Sequence, residues 1–277
     1  MANVFEAFYE VDSVGSNTPS EWVDQKNESP YDGTNVSPSG TLSHVEIVDT
    51  PTPPSGSKCM MCYVKADDNS PRRNQLMIYN SSALDALRTG TMWTQFWMYL
   101  DADVVMKDES NGDSIYGWIR VWETNTMPDS GAYYGAPGLF LLPDYSSGSR
   151  SNDTNTLCVQ WQNFGDGNIH TLQQLSSGQW YKVTTKTVFS TGTSGSFTVW
   201  IDDTQVYNAT GVKTYQSGQN GIMLSQDVSG GMAYGSTNVK IYYDAFEVNA
   251  DGNFTVTENG AGGSSWDGKY GSAGGLA

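Results

Sequence analysis

The stretch Trp93-Thr94-Gln95-Phe96-Trp97-Met98-Tyr99-Leu100 decides the fold. Successive residues of a β-strand point to opposite faces, so Phe96, Met98 and Leu100 form one side and Trp93, Gln95, Trp97 and Tyr99 the other. The first side reads as core, and the second is also aromatic. Similar runs, rich in Val, Ile, Thr and aromatics and bounded by Gly, Asn, Asp, Ser and Pro, recur along the chain. They span residues 44–48, 60–65, 75–79, 115–122, 139–142, 157–164, 180–189, 197–202, 221–224 and 239–248. Helical periodicity is confined to Ser82-Ala83-Leu84-Asp85-Ala86-Leu87-Arg88, ended by Gly90, enough for one or two turns. So many strands need two packed sheets, and the predicted fold is an all-β, antiparallel, two-sheet jelly-roll sandwich.

The same alternation assigns faces elsewhere. In 115–122, Ile115, Ile119 and Val121 are expected inside, with Tyr116, Trp118, Arg120 and Trp122 outside. Leu76 and Ile78 go inward and Arg73, Gln75, Met77 and Tyr79 outward; Val159 and Trp161 go inward and Gln160 and Gln162 outward. Four strands thereby offer outer faces of aromatics, Gln and Arg. Soluble proteins seldom leave such a surface bare. Three explanations stand side by side: cover by the protein's own loops, a carbohydrate groove, or a subunit contact. A groove would use flat aromatic faces for sugar C–H patches and amide or guanidinium donors for hydroxyls and carboxylates. The expected ligand-binding set is Gln95, Trp97, Tyr99, Tyr116, Trp118, Arg120, Trp122, Gln160 and Gln162.

Composition narrows the partners. Thirty acidic residues against 14 basic ones give a formal net charge of −16, which repels phosphate backbones and anionic lipid, so neither nucleic acid nor membrane is expected as a partner. No stretch approaches the ~18 apolar residues of a membrane span, and Met1 to Glu6 lacks the basic and apolar regions of a signal peptide. With 38% hydrophobic and 16% charged residues, the chain has ample material for a core. Three cysteines cannot all pair within one chain. Cys59 and Cys62 stand three apart in a strand-like run and face opposite ways, which reads as buried structural thiols and not as a redox or zinc motif.

Several segments resemble, in order, the concanavalin A-like lectin and glucanase superfamily, which includes laminin-G-like domains and jelly-roll polysaccharide lyases. They are Ser43-His44-Val45-Glu46-Ile47-Val48 followed by Pro53-Pro54-Ser55-Gly56, Arg72-Arg73-Asn74-Gln75-Leu76, Gly178-Gln179-Trp180-Tyr181-Lys182-Val183, Gly195-Ser196-Phe197-Thr198-Val199-Trp200-Ile201-Asp202-Asp203, and Tyr242-Tyr243-Asp244-Ala245-Phe246-Glu247-Val248. The resemblance covers most of residues 3–250. It implies one jelly-roll domain over residues 1–250, followed by a Gly-rich extension over 251–277.

The superfamily hosts lectins, glycosidases, lyases and structural modules. Its sandwich glycosidases resemble one another in a Glu-x-Asp-x-x-Glu strand, which is absent here; Glu21, Asp24 and Glu28 have another spacing in a polar segment. Paired-carboxylate hydrolysis therefore lacks carriers. A lyase needs a group that neutralises a uronate carboxylate and a side chain that takes the neighbouring proton. If the chain is a lyase, Arg73 and Gln75 are the candidates for the first task and Tyr99, Tyr116 or His170 for the second. The Arg73-Asn74-Gln75-Leu76-Met77 run departs from the Arg-x-Glu-Leu-Arg strand of alginate-lyase-like enzymes, and Asn168-Ile169-His170 has Asn where they have Gln. The resemblance also implies a structural calcium held by Asp244 with Glu6 and Glu10.

Beyond Val248 the chain turns to Gly, Ser and Ala, with Trp266 and Tyr270 as its large side chains. Fixing such a tail costs on the order of 1–2 kcal/mol per residue, so its ordering is expected through another chain. These features lead to the expectation of a non-enzymatic structural or adhesion protein. It would sit on a virion or other extracellular particle as a decoration or tail-type protein, contacting glycans or other subunits through the aromatic face and the tail. A secreted polysaccharide lyase acting on a uronate polymer is the alternative.

Overall fold

The strand-forming runs pair as two antiparallel sheets. The computed structural model describes residues 4–17, 19, 22, 24–28, 43–64, 72–78, 81–103, 119–127, 134–142, 155–161, 169–218, 221–230 and 238–255; at 24–28, 43, 72–75, 77, 125–127, 134–136, 142, 223, 225 and 227–230 it describes the backbone alone.

The described strands are β1 (Phe5–Ala7), β2 (Asp24–Glu28), β3 (Ser43–Val48), β4 (Cys59–Val64), β5 (Arg72–Ile78), β6 (Thr91–Leu100), β7 (Ile119–Met127), β8 (Tyr134–Leu142), β9 (Thr156–Trp161), β10 (Ile169–Gln174), β11 (Trp180–Val188), β12 (Gly195–Ile201), β13 (Thr204–Val212), β14 (Gly221–Gly230) and β15 (Val239–Asn249). One sheet has eight strands in the order β13-β12-β11-β6-β15-β4-β3, with β1 on β15; the other has seven, in the order β10-β9-β8-β7-β14-β5-β2. This is the predicted two-sheet jelly-roll sandwich. The short helix α1 (Ser82–Ala86) starts where Ser81 Oγ accepts the Leu84 N–H at 3.3 Å.

Between the sheets lie Phe96, Met98 and Leu100 from β6, Val183 from β11, Phe197 and Val199 from β12, and Ile241, Tyr243 and Phe246 from β15. The seven-stranded sheet faces them with Leu76, Ile78, Ile119, Val121, Trp122, Leu139, Leu141, Leu157, Val159, Trp161, Ile222 and Leu224. Each fully buried apolar side chain of this size contributes roughly 1.5–3 kcal/mol from removal of its surface from water. The β12–β13 hairpin closes in two residues, Asp202 and Asp203, whose φ of 48° and 66° suits the right-handed twist of the flanking strands.

Some strands of the seven-stranded sheet lie outside the runs read from the sequence. Residues 169–174, outside the strand-like runs read from the sequence, form β10, whose exposed and half-buried positions identify a sheet-edge strand. Residues 24–28, in the polar segment that holds Asp24 and Glu28, form β2 on the opposite edge. Edge strands bury too little apolar surface to print a strand pattern on the sequence. The cysteines behave as expected: Cys62 lies in the main core, Cys59 joins Met61 and Tyr242 on the other side of β4, and Cys158 is also buried.

Candidate functional site on the seven-stranded sheet

The outer faces read from the sequence do not form one surface. β6 belongs to the eight-stranded sheet, whereas β5, β7 and β9 belong to the seven-stranded one. The Gln95, Trp97 and Tyr99 side of β6 therefore lies on the opposite outside of the sandwich from Arg120 and Gln160.

That first face is closed by the chain itself. Trp97 is 6% exposed and packs with Ala245, Phe8 and Trp180, while Gln95 is 1% exposed. Tyr99 is half-buried against Trp180 and Tyr242, at centroid distances of 5.4 and 5.6 Å. Trp180 donates its Nε1–H to the Thr52 carbonyl, and Trp93 lies under the turn at Gly252, where a Cβ would come within 3.2 Å of the indole. Phe254 is 2% exposed, and the Thr255 N–H binds Glu247 Oε2 at 2.8 Å. Of the three explanations for the aromatic side, cover by the protein's own segments holds here. Gln95, Trp97 and Tyr99 are corrected from groove residues to packing residues.

The second outer face is shaped by a β-bulge in β7. Ile119 and Arg120 pair with Leu141 and Phe140 of β8, but Leu139 pairs with Trp122, which leaves Val121 as the extra residue. One extra residue reverses the alternation beyond it. Trp122, predicted outside, therefore points into the core, fully buried and stacked on Phe197 at 6.0 Å and 10°. By the same shift Glu123 joins Arg120 on the outer side. Arg120 Nη1 lies 2.5 Å from Glu123 Oε2, with side-chain exposures of 12% and 2%. The Val121 carbonyl accepts the Tyr243 hydroxyl at 3.1 Å from across the core, so the bulge leaves no orphaned acceptor there.

Around the ion pair, the register aligns Arg73, Ser229, Arg120, Phe140, Cys158 and Thr171 in one row across five strand pairings. A second row runs through Met77, Ser225, Glu123, Gly138, Gln160 and Ile169. Phe140 and Cys158 form a small apolar cluster apart from the core, and Gln160 is half-buried. A Cβ on Gly138 would fall 2.8 Å from the Phe140 ring and 3.4 Å from Glu123 Cβ, so the ring lies over the glycine beside Glu123. Gln75 pairs with Asp227 next to the Arg73 position. Tyr116, Trp118 and Gln162 lie outside the described residues, as does the tail with Trp266 and Tyr270.

His170 is not brought into this group. It pairs with the inward-facing Val159, and its ring stands 5.2 Å from that of Tyr207 on β13, where the two sheet edges meet. Tyr207 also accepts the Trp161 Nε1–H at 3.0 Å. Of the expected calcium ligands, Asp244 and Glu10 both bind the loop at residues 55–58. Asp244 Oδ2 accepts the Ser55 N–H at 2.7 Å, and Glu10 Oε1 accepts those of Ser57 and Lys58 at 2.7 Å. Glu6 is an exposed residue of β1, opposite Glu247. Among the described residues no three His, Cys, Asp or Glu side chains group as metal ligands. Burial, with the nearby Glu10 charge, pushes the Asp244 carboxyl up to about 7 despite the Ser55 and Ala245 N–H groups. Burial also raises Glu10, but the Ser57 and Lys58 N–H groups outweigh it and hold that carboxyl below its usual value.

The described strands form a two-sheet β-sandwich of the jelly-roll kind, with the Arg120–Glu123 pair sheltered on the outer side of the seven-stranded sheet. Residues 17–246 match the family model described as Polysaccharide lyase, and the chain belongs to that family. Among solved structures it is similar to the endo-β-1,4-glucuronan lyase of the fungus Trichoderma reesei, with a TM-score of 0.62 and 11% identity over 93% of this chain and 98% of that one. It is also similar to the PL-14 alginate lyase of Aplysia kurodai, with a TM-score of 0.56 and 9% identity over 90% of this chain and 100% of that one. For alginate lyase Aly36B the TM-score is 0.53 and the identity 10%, over 88% and 96% of the two chains. At such identities these likenesses speak for the fold. No curated protein matches the chain by sequence. The family match overturns the expectation of a non-enzymatic decoration or adhesion protein.

Proposed function

We propose that the chain is a polysaccharide lyase that cleaves a uronate-containing polymer by β-elimination on the outer face of the seven-stranded sheet. The observation that carries this reading is Arg120, a guanidinium held at 2.5 Å from Glu123 on that face, in the same register row as Arg73. A guanidinium offers a planar fork of donors that matches a carboxylate. Bound there, the uronate carboxylate is neutralised, and the C5–H beside it becomes acidic enough for a side-chain base. The C5–H electrons form the C4=C5 double bond, the C4–O bond breaks, and the departing oxygen takes a proton. Tyr116 is the candidate for proton transfer, whereas His170, packed on Tyr207 at the sheet edges, is set aside.

A chain of net charge −16 must attract a polyanion locally. Screening confines the field of exposed charges to about 8–10 Å at physiological salt, so the acidic residues elsewhere on the surface act only weakly at this face. The test is incubation with glucuronan, alginate and heparin-like polymers, followed by ultraviolet absorbance of unsaturated products. Absorbance should rise with the wild-type chain and not with Arg120→Ala. A folded wild-type protein that yields no unsaturated product from any of them would end the proposal.

A further inference from the structure

We infer that Glu123 is a positioning residue for the lyase reaction, fixing the guanidinium of Arg120 for the uronate carboxylate; this rests on the proposed lyase activity. Residues three apart in a regular strand face opposite ways. Arg120 and Glu123 share a face because the Val121 bulge lies between them. The arrangement interrupts the ladder, and bulges are enriched beside active sites, where they re-aim a side chain.

Its surroundings bury the carboxylate and close one side of the pair. Glu123 is almost wholly buried, so its charge depends on a partner, and the Arg120 guanidinium at 2.5 Å supplies one. On the β8 side the neighbouring position is Gly138, with the Phe140 ring over it, which closes that direction to the Glu123 side chain. On the other side the register neighbour is Ser225 of β14. The bulge itself is pinned from the opposite sheet by the Tyr243 hydroxyl on the Val121 carbonyl. The guanidinium is thus oriented before substrate arrives, so binding does not have to freeze a long side chain.

The experiment uses the full chain and whichever polymer of the uronate panel it cleaves. Glu123→Gln keeps the shape of the side chain and removes its charge; kcat is expected to fall tenfold or more, and the thermal midpoint to fall as the sheltered pair loses one charge while the variant still unfolds cooperatively. Arg120→Ala should be inactive, and added guanidinium chloride at millimolar concentration should restore part of its activity. The same addition should restore nothing to Arg120→Ala/Glu123→Gln, because Glu123 forms the seat for the guanidinium ion. Equal rescue of the single and double variants, or wild-type kcat in Glu123→Gln, would overturn the inference and leave the lyase reading intact if Arg120→Ala is inactive. An Arg120→Ala protein with full activity would overturn both. If Glu123→Gln does not fold, Glu123→Asp is read instead: it keeps the charge but withdraws it by one methylene. A lowered kcat then supports the inference, and an unchanged one opposes it.

Discussion

Trp122 lies parallel to Phe197, with ring centroids 6.0 Å apart and planes inclined by 10°, and so joins the two sheets through the middle of the sandwich. Trp122→Ala removes that bridge and should destabilise the fold by about 3–5 kcal/mol, as large-to-small changes of buried aromatics do. Equilibrium urea unfolding measures it. A loss below about 1 kcal/mol would mean that Trp122 is not packed between the sheets.

Tyr243 holds the bulge from the opposite sheet through its hydroxyl on the Val121 carbonyl. Tyr243→Phe keeps the ring and leaves a buried carbonyl without that donor, at a cost of about 1–3 kcal/mol. Because the bulge places Glu123 beside Arg120, lyase activity should fall in this variant although Tyr243 lies on the far sheet. Unchanged stability and activity would show that the hydroxyl does not support the bulge.

Asp244 gives the fold a pH dependence whose sign follows from its raised carboxyl. At about 7 in the folded chain against 3.8 unfolded, the native state binds the extra proton between those values. Its contribution is therefore neutral below about pH 4, and stability is lost progressively as the pH rises to about 7, by on the order of 4 kcal/mol at most. Asp244→Asn cannot ionise. Thermal unfolding at pH 5 and pH 8 should show the wild type losing ground to this variant at the higher pH; parallel behaviour would contradict the assignment.

The three cysteines should be silent in the native protein. Cys59 and Cys62 are fully buried and Cys158 is 2% exposed, and burial, with the charges of Asp244, Asp49 and Glu10, pushes the Cys59 thiol up to about 12. An aromatic disulfide reagent at pH 8 should find no fast-reacting thiol until denaturant is added, and then three. A fast native phase would contradict the burial.

Much of the sandwich is legible in single strands. The alternation in 93–100 separates Phe96, Met98 and Leu100 from Trp93, Gln95, Trp97 and Tyr99 as the structure does, because an unbroken strand keeps its period of two. The same rule misplaces Trp122 and conceals Glu123. A bulge is defined by what the partner strand opposes, and nothing in Arg120-Val121-Trp122-Glu123 marks Val121 as the extra residue. The edge strand β10 escapes notice because its exposed and half-buried positions carry no apolar alternation, and β2 because Asp24-Gln25-Lys26-Asn27-Glu28 is polar throughout.

The sequence by itself determined the all-β class, the two-layer core and the buried thiols, because each follows from side-chain character and a local period. Only the tertiary structure decided which strands share a sheet, since pairings such as β6 with β11 and β15 join segments far apart in the chain. That choice put the β6 aromatics on one outer face, under Phe8, Trp180 and the 250–255 segment, and Arg120 with Glu123 on the other. The physical reason is that the cover over a sheet, and the register that creates a bulge, are set by long-range hydrogen bonding and packing that no local pattern encodes.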